Sequence, residues 1–273
     1  MSLETTEPIT SIIEPLEWQP PMPPTDLIFD DGEPLETNRH RVAMNVLIRS
    51  MNSDCLRRSD FFAGGNMFIY YSSKQARNRD FRGPDFFVVL GVDSDRSRPG
   101  WVVWEENGRY PDVIVELLSD STTHIDLGIK KKLYEEVFRT RDYFVFEPHT
   151  GTSLQGWHLN ADSGYQPISP NEQGWLWCET LKLWLGTWTG NVEGDETTWL
   201  RFYDDSGNLV LLPEEAEYQR AETEHQLAET ECQRAETECQ RAETEHQRAE
   251  TERQRAERLA ARLRELGEDP DSL

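Results

Sequence analysis

Gly83–Val92 reads GPDFFVVLGV, and Pro111–Ser119 reads PDVIVELLS. Both are short apolar runs opened by Pro-Asp, and both predict strands buried on two faces. A helical stretch follows, DLGIKKKLYEEVF at Asp126–Phe138, and then a third apolar run, DYFVFEP at Asp142–Pro148. This order predicts a mixed α/β sheet. The first two strands are antiparallel neighbours, and the third returns parallel to the second after a helical crossover. Glu116 interrupts the second run, where a carboxylate is expensive unless it is paired or bound to a metal.

Antiparallel pairing sets Asp85, which opens the first strand, beside Glu116, toward the end of the second. Asp112 falls near Val89 and Leu90, about 13 Å along the strand from Glu116. Asp85 and Glu116 can therefore share one divalent ion, and two hard carboxylates with water in the remaining positions suit magnesium or manganese. Three lysines follow in the helix. Lys131 and Lys132 have Glu135 and Glu136 four residues on, which predicts solvated pairs. Lys130 has Tyr134 at that spacing, then Val137 and Phe138, so it lies nearest the buried stripe. There it either stabilises a phosphoryl oxyanion or only pairs with a buried glutamate.

The flanks differ from this centre. Residues 1–35 hold seven prolines and read as an extended arm draped over the body. A helix is expected over 36–51, capped near Thr37 or Asn38, with Val42, Val46 and Leu47 on one face. NMFIYYS at 66–72 reads as a strand. Residues 151–212 are rich in tryptophan and turn residues and predict β-hairpins whose indoles fill a small core rather than a platform for bases or sugars. Residues 213–266 repeat RAETEHQ-like heptads and predict a long exposed helix or coiled coil that pairs with a second copy or with another helix. Leu259, Leu263 and Leu266 are its best anchors, and 267–273 form a tail.

The chain of 273 residues carries 28 basic and 51 acidic side chains, a net charge of -23. So acidic a surface disfavours non-specific binding to nucleic acid, yet leaves room for a metal-filled cleft. No apolar run is long enough to span a membrane. The first 35 residues lack a signal-peptide pattern, and the four cysteines lack metal-knuckle spacing, so a reduced cytoplasmic setting is expected.

The order Asp85, Glu116 within VIVELLS, then D-x-x-x-K-x-x-x-Y (Asp126, Lys130, Tyr134) and YFVFEP resembles the Uma-type endonucleases of the PD-(D/E)XK superfamily. The resemblance covers residues 26–205. It implies a restriction-endonuclease-like mixed sheet flanked by helices and metal-dependent hydrolysis of phosphodiesters in nucleic acid, DNA above RNA. Asp85 and Glu116 match the metal ligands. The superfamily lysine two residues after the glutamate is Leu118 here, and the resemblance implies that Lys130 replaces it as the third catalytic residue. Glu36 and His40, one turn apart on the first helix, are accessory candidates, and Ser119 reads as a cap. The competing expectation is a catalytically silent scaffold or regulatory protein that keeps the fold and acts through its heptad helix.

Overall fold

A computed structural model describes residues 22–29, 37–53, 60–78, 83–119 and 122–265. The chain divides into two compact units, a body of residues 1–52 and 56–210 and a second unit of residues 53–55 and 211–273 that is dominated by one helix.

The body is built on a six-stranded mixed sheet of order β1-β3-β5-β6-β7-β8. Its centre is the expected one. β3 (Phe86–Leu90) and β5 (Val113–Leu117) pair antiparallel with Phe86 opposite Val115, and β6 (Asp142–Phe146) lies parallel to β5 with Glu116 opposite Val145. Side chains alternate between two cores, as a pleated sheet requires. Phe86, Val88, Val115 and Phe144 meet helix α1 (Asn38–Met51) through Val42, Val46 and Leu47. Phe87, Val89, Ile114 and Val145 meet the crossover helix α3 (123–138) through Tyr134 and Phe138. Glu116 shares the parity of Ile114 and so points into the second layer. Helix α1 begins where the sequence places it, with the Thr37 hydroxyl accepting a hydrogen bond from the backbone N–H of His40 at 3.2 Å.

Three expectations change. The 66–72 strand shrinks to β2 (Ile69–Tyr70), which pairs in parallel with β4 (Trp101–Val102), apart from the main sheet. A strand not foreseen, β1 (Phe61–Gly64), takes the edge beside β3, ahead of a short helix α2 (Ser73–Arg77). The tryptophan-rich segment splits. Its first hairpin, β7 (Gln155–Asn160) and β8 (Gly164–Pro167), extends the main sheet. Strands β9 (Leu176–Cys178), β10 (Leu183–Val192) and β11 (Asp195–Tyr203) form a separate antiparallel sheet. That second sheet packs into the α1-side core through Leu185, Trp199 and Phe202, so these residues are structural.

Of the proline-rich arm, residues 22–29 are described, and they lie against the body. The Ile28 backbone N–H donates to the Tyr70 hydroxyl at 3.2 Å, and the rings of Phe29 and Tyr70 meet edge-on. Glu36, Leu266 and the 267–273 tail lie outside the described residues. Helix α4 (Pro213–Glu265) is continuous for 53 residues, roughly 80 Å at 1.5 Å per residue. Among the described residues, no helix is long and apolar enough to cross a membrane.

Candidate active site

β3, β5 and α3 bring four charged side chains together. Extending the β3–β5 register by one residue sets Asp85 opposite Glu116, and two hydrogen bonds cross that step. The Leu117 N–H donates to Asp85 Oδ2 at 2.7 Å, and the Asp85 N–H donates to Glu116 Oε2 at 3.4 Å. From α3, Lys130 Nζ stands 3.1 Å from Glu116 Oε2 and 2.8 Å from Asp126 Oδ1. The Tyr134 hydroxyl donates to Glu116 Oε1 at 2.7 Å, and the Tyr143 hydroxyl donates to the Asp126 carbonyl at 2.9 Å.

Helix α3 is not a plain α-helix. It alternates α turns (Thr123–Ile125, Lys131–Leu133) with π turns (Asp126–Lys130, Tyr134–Phe138). Wide turns of this kind often mark functional segments. Here the first carries Asp126 and Lys130, and the second opens on Tyr134.

Among the described residues, Asp85, Glu116 and Asp126 face one cation here, Lys130, so these four groups fully ionised carry a net charge of minus two. Glu116 is wholly buried, and that burial raises its carboxyl to about 8, against the pull of Lys130 and with help from the negative field of Asp85 and Asp126. Burial likewise raises Asp85, against the hydrogen bond from Leu117 and the charge of Lys130. For Lys130, burial pulls downward, but Glu116, Asp126 and Asp85 outweigh it and hold the ammonium above its ordinary value. The surrounding carboxylates thus favour the charged form of Lys130. Burial, then the charge of Glu116, raises the Tyr134 hydroxyl well above its usual value, so it remains a donor.

The sequence-predicted trio Asp85, Glu116 and Lys130 is brought together. Leu118 is buried in the same layer and offers no charge, which leaves the cationic position to Lys130. His40 is buried at the start of α1, with Nδ1 3.0 Å from the Thr37 hydroxyl and its ring 5.5 Å from that of His149. The neighbours of α1 belong to the opposite face of the sheet from Glu116. Ser119 accepts from the Thr122 N–H at 3.2 Å, closing the turn into α3. Lys132 pairs with Glu136 at 3.8 Å in solvent, as expected, but Lys131 does not behave as a plain solvated pair member. Its ammonium sits 3.7 Å from the centre of the Trp157 ring, while Glu135 accepts from the Tyr165 N–H at 2.7 Å. Asp126 and Tyr134, which in sequence only frame Lys130 at four-residue spacing, hold Lys130 and Glu116 respectively.

Residues 16–188 match the model of the Uma2 family, described as "Putative restriction endonuclease". Among solved structures, the chain is similar to one described as a "putative nuclease belonging to DUF820" from Anabaena variabilis ATCC 29413. The identity is 13%, the alignment covers 59% of this chain and 86% of that one, and the TM-score is 0.39. No curated protein matches. With more than half of its length matched by the model, the chain belongs to the Uma2 family.

Proposed function

We propose that the protein is a divalent-metal-dependent endonuclease that hydrolyses phosphodiester bonds of nucleic acid, DNA in the first instance. The observation that carries this reading is the buried Glu116 held beside Asp85 and Lys130. A strand interior has no structural need for such a charge, and the cluster's excess of two negative charges matches one divalent ion. The donor chemistry fits magnesium or manganese, which favour carboxylate oxygen and retain water. Among the described residues, no three His, Cys, Asp or Glu side chains are disposed to hold a metal together. Asp85 and Glu116 would therefore supply the two protein ligands, with water and phosphate oxygens completing the shell.

Such an ion supplies an activated water and charge stabilisation at phosphorus. The chain's own residues do the rest. Tyr134 holds Glu116 Oε1, which fixes the carboxylate plane and leaves Oε2 toward Lys130 and Asp85. Lys130 presents a permanent positive charge to a phosphoryl oxyanion. Asp126 anchors the same ammonium at 2.8 Å.

The test is a cleavage panel of duplex and single-stranded DNA and RNA with manganese, beside calorimetric titration of the metal. Asp85→Ala and Glu116→Ala should each lose manganese binding and all cleavage. Parent-like manganese affinity in either variant removes the site assignment. The second reading is a non-catalytic scaffold acting through α4, favoured by the acidic body, the leucine at 118 and the length of the exposed helix. It requires no metal affinity at Asp85 and Glu116, so the same titration separates the two.

A further inference from the structure

Helix α4 carries a stripe that repeats every seven residues. Alanine recurs from Ala221 to Ala256, and four residues after each of the first five comes His225, Cys232, Cys239, His246 or Arg253. Spacing of four then three makes these the d and a positions of a heptad, with alanine at d. A straight α-helix drifts about 20° per heptad from this repeat, so the stripe stays on one face only against a supercoiled partner. Residues 217–259 are exposed along their whole length, so among the described residues nothing covers the stripe. The ladder is regular. The hydroxyls of Thr230, Thr237 and Thr244 each donate to the carbonyl four residues back at 2.8 Å, on the face away from the stripe.

The rows flanking the stripe decide what covers it. The g row is Glu217 and every seventh residue to Glu252, and the e row is Glu222 and every seventh residue to Glu257. Neither row contains a cation before Arg264. The arginines instead fill the c row, Arg234, Arg241 and Arg248 among them, one step out from the seam. In a parallel pair of copies each g glutamate meets an e glutamate, and in an antiparallel pair g meets g and e meets e. Every flanking contact between two copies is then glutamate on glutamate, repeated over five heptads. The alanine stripe offers little burial to offset that repulsion.

We infer that the a/d stripe of α4 docks an unlike helix of about five heptads, with large aliphatic side chains at its own a and d positions and lysine or arginine at its e and g positions. The bulky residues fill the space left by alanine, and the cations meet both glutamate rows. This surface is independent of the chemistry at Glu116.

The test uses the full chain and a synthetic peptide of about five heptads with isoleucine at a, leucine at d and lysine at e and g. Calorimetry and sedimentation at about 0.15 M salt should show one-to-one binding, weakened on the order of tenfold or more at about 1 M salt. A peptide of the same composition in scrambled order should bind far more weakly. Equal binding of the two peptides means simple attraction between polyions and overturns the docking face. Failure of the heptad peptide to bind overturns it too, as does a dimer of the full chain alone that dissociates on truncation after Pro213. Replacing Glu236, Glu238, Glu243 and Glu245 by lysine should reduce affinity on the order of a hundredfold. A set off the seam with the same total change of eight charges, Gln→Lys at 226, 233, 240 and 247 with Thr→Lys at 230, 237, 244 and 251, should leave most of it. Equal losses in the two sets would also overturn the assignment.

Discussion

Glu116 is the residue on which fold and chemistry meet, and its protonation gives the first prediction. Its ordinary value of 4.5 rises to about 8 in the folded chain, chiefly through burial. The folded protein therefore keeps a proton that the unfolded chain releases. In metal-free protein this contribution to stability is fully present below the unfolded value and is lost as pH climbs through the folded one. A shift of that size is worth on the order of 3–5 kcal/mol. Melts in a chelator should therefore fall between about pH 5 and about pH 8, and saturating manganese, which binds the ionised form, should flatten the decline. Glu116→Gln should melt like the parent at the acid end and above it at the alkaline end. A parent curve flat across that window would mean that Glu116 is already ionised without metal. Asp85 and Glu116 were legible as a pair because the register of two apolar strands follows from their Pro-Asp openings. The burial of Asp126 is not legible in the same way, because a helical aspartate four residues before a lysine also fits a solvated pair, and only the fold carries that pair into the interior.

Helix α3 shows where periodicity serves and where it fails. Spacing alone sorted Lys130 inward, and the structure places it there. Spacing also paired Lys131 with Glu135, but a one-helix argument cannot see Trp157, which β7 brings beneath Lys131. The π turns were illegible for a related reason. A period of 3.6 is the default winding, whereas the wider turns accompany contacts from other elements, Tyr134 to Glu116 and Tyr143 to the Asp126 carbonyl. β1 carries little strand signal in sequence, because FFAG is four residues long and runs straight into a second glycine. The three lysines are now expected to separate. Lys130→Ala should abolish cleavage while manganese binding, which needs only the carboxylates, persists. Lys131→Ala should leave chemistry intact but cost about 0.5–1 kcal/mol through the lost contact with the indole. Lys132→Ala should cost at most a few tenths of a kcal/mol, as an exposed pair member. Equal losses of cleavage in all three variants would point to a general basic patch and remove the specific role of Lys130.

At the scale of the whole molecule, the two units rest on different physics. The body buries two aromatic and aliphatic cores on either face of one sheet, and its candidate site lies wholly within β3, β5, α3 and β6. Helix α4 buries almost nothing of its own, with Ala216 its one buried residue. Its helicity therefore rests on residue propensity and on neighbours one turn away, such as Arg253 and Glu257 at 3.1 Å. Helices of that kind melt gradually, whereas a packed body unfolds as one transition. Helical signal from the full chain should accordingly fall in two parts on heating. A broad early loss should come from α4, and a sharp later one should coincide with the loss of tryptophan packing around Trp199. Truncation after Pro213 should delete the broad phase, leave the sharp midpoint and the manganese affinity in place, and sharply reduce the hydrodynamic radius. A truncated protein that loses the sharp transition or its manganese affinity would show that α4 is integral to the body and that the chain does not divide in this way.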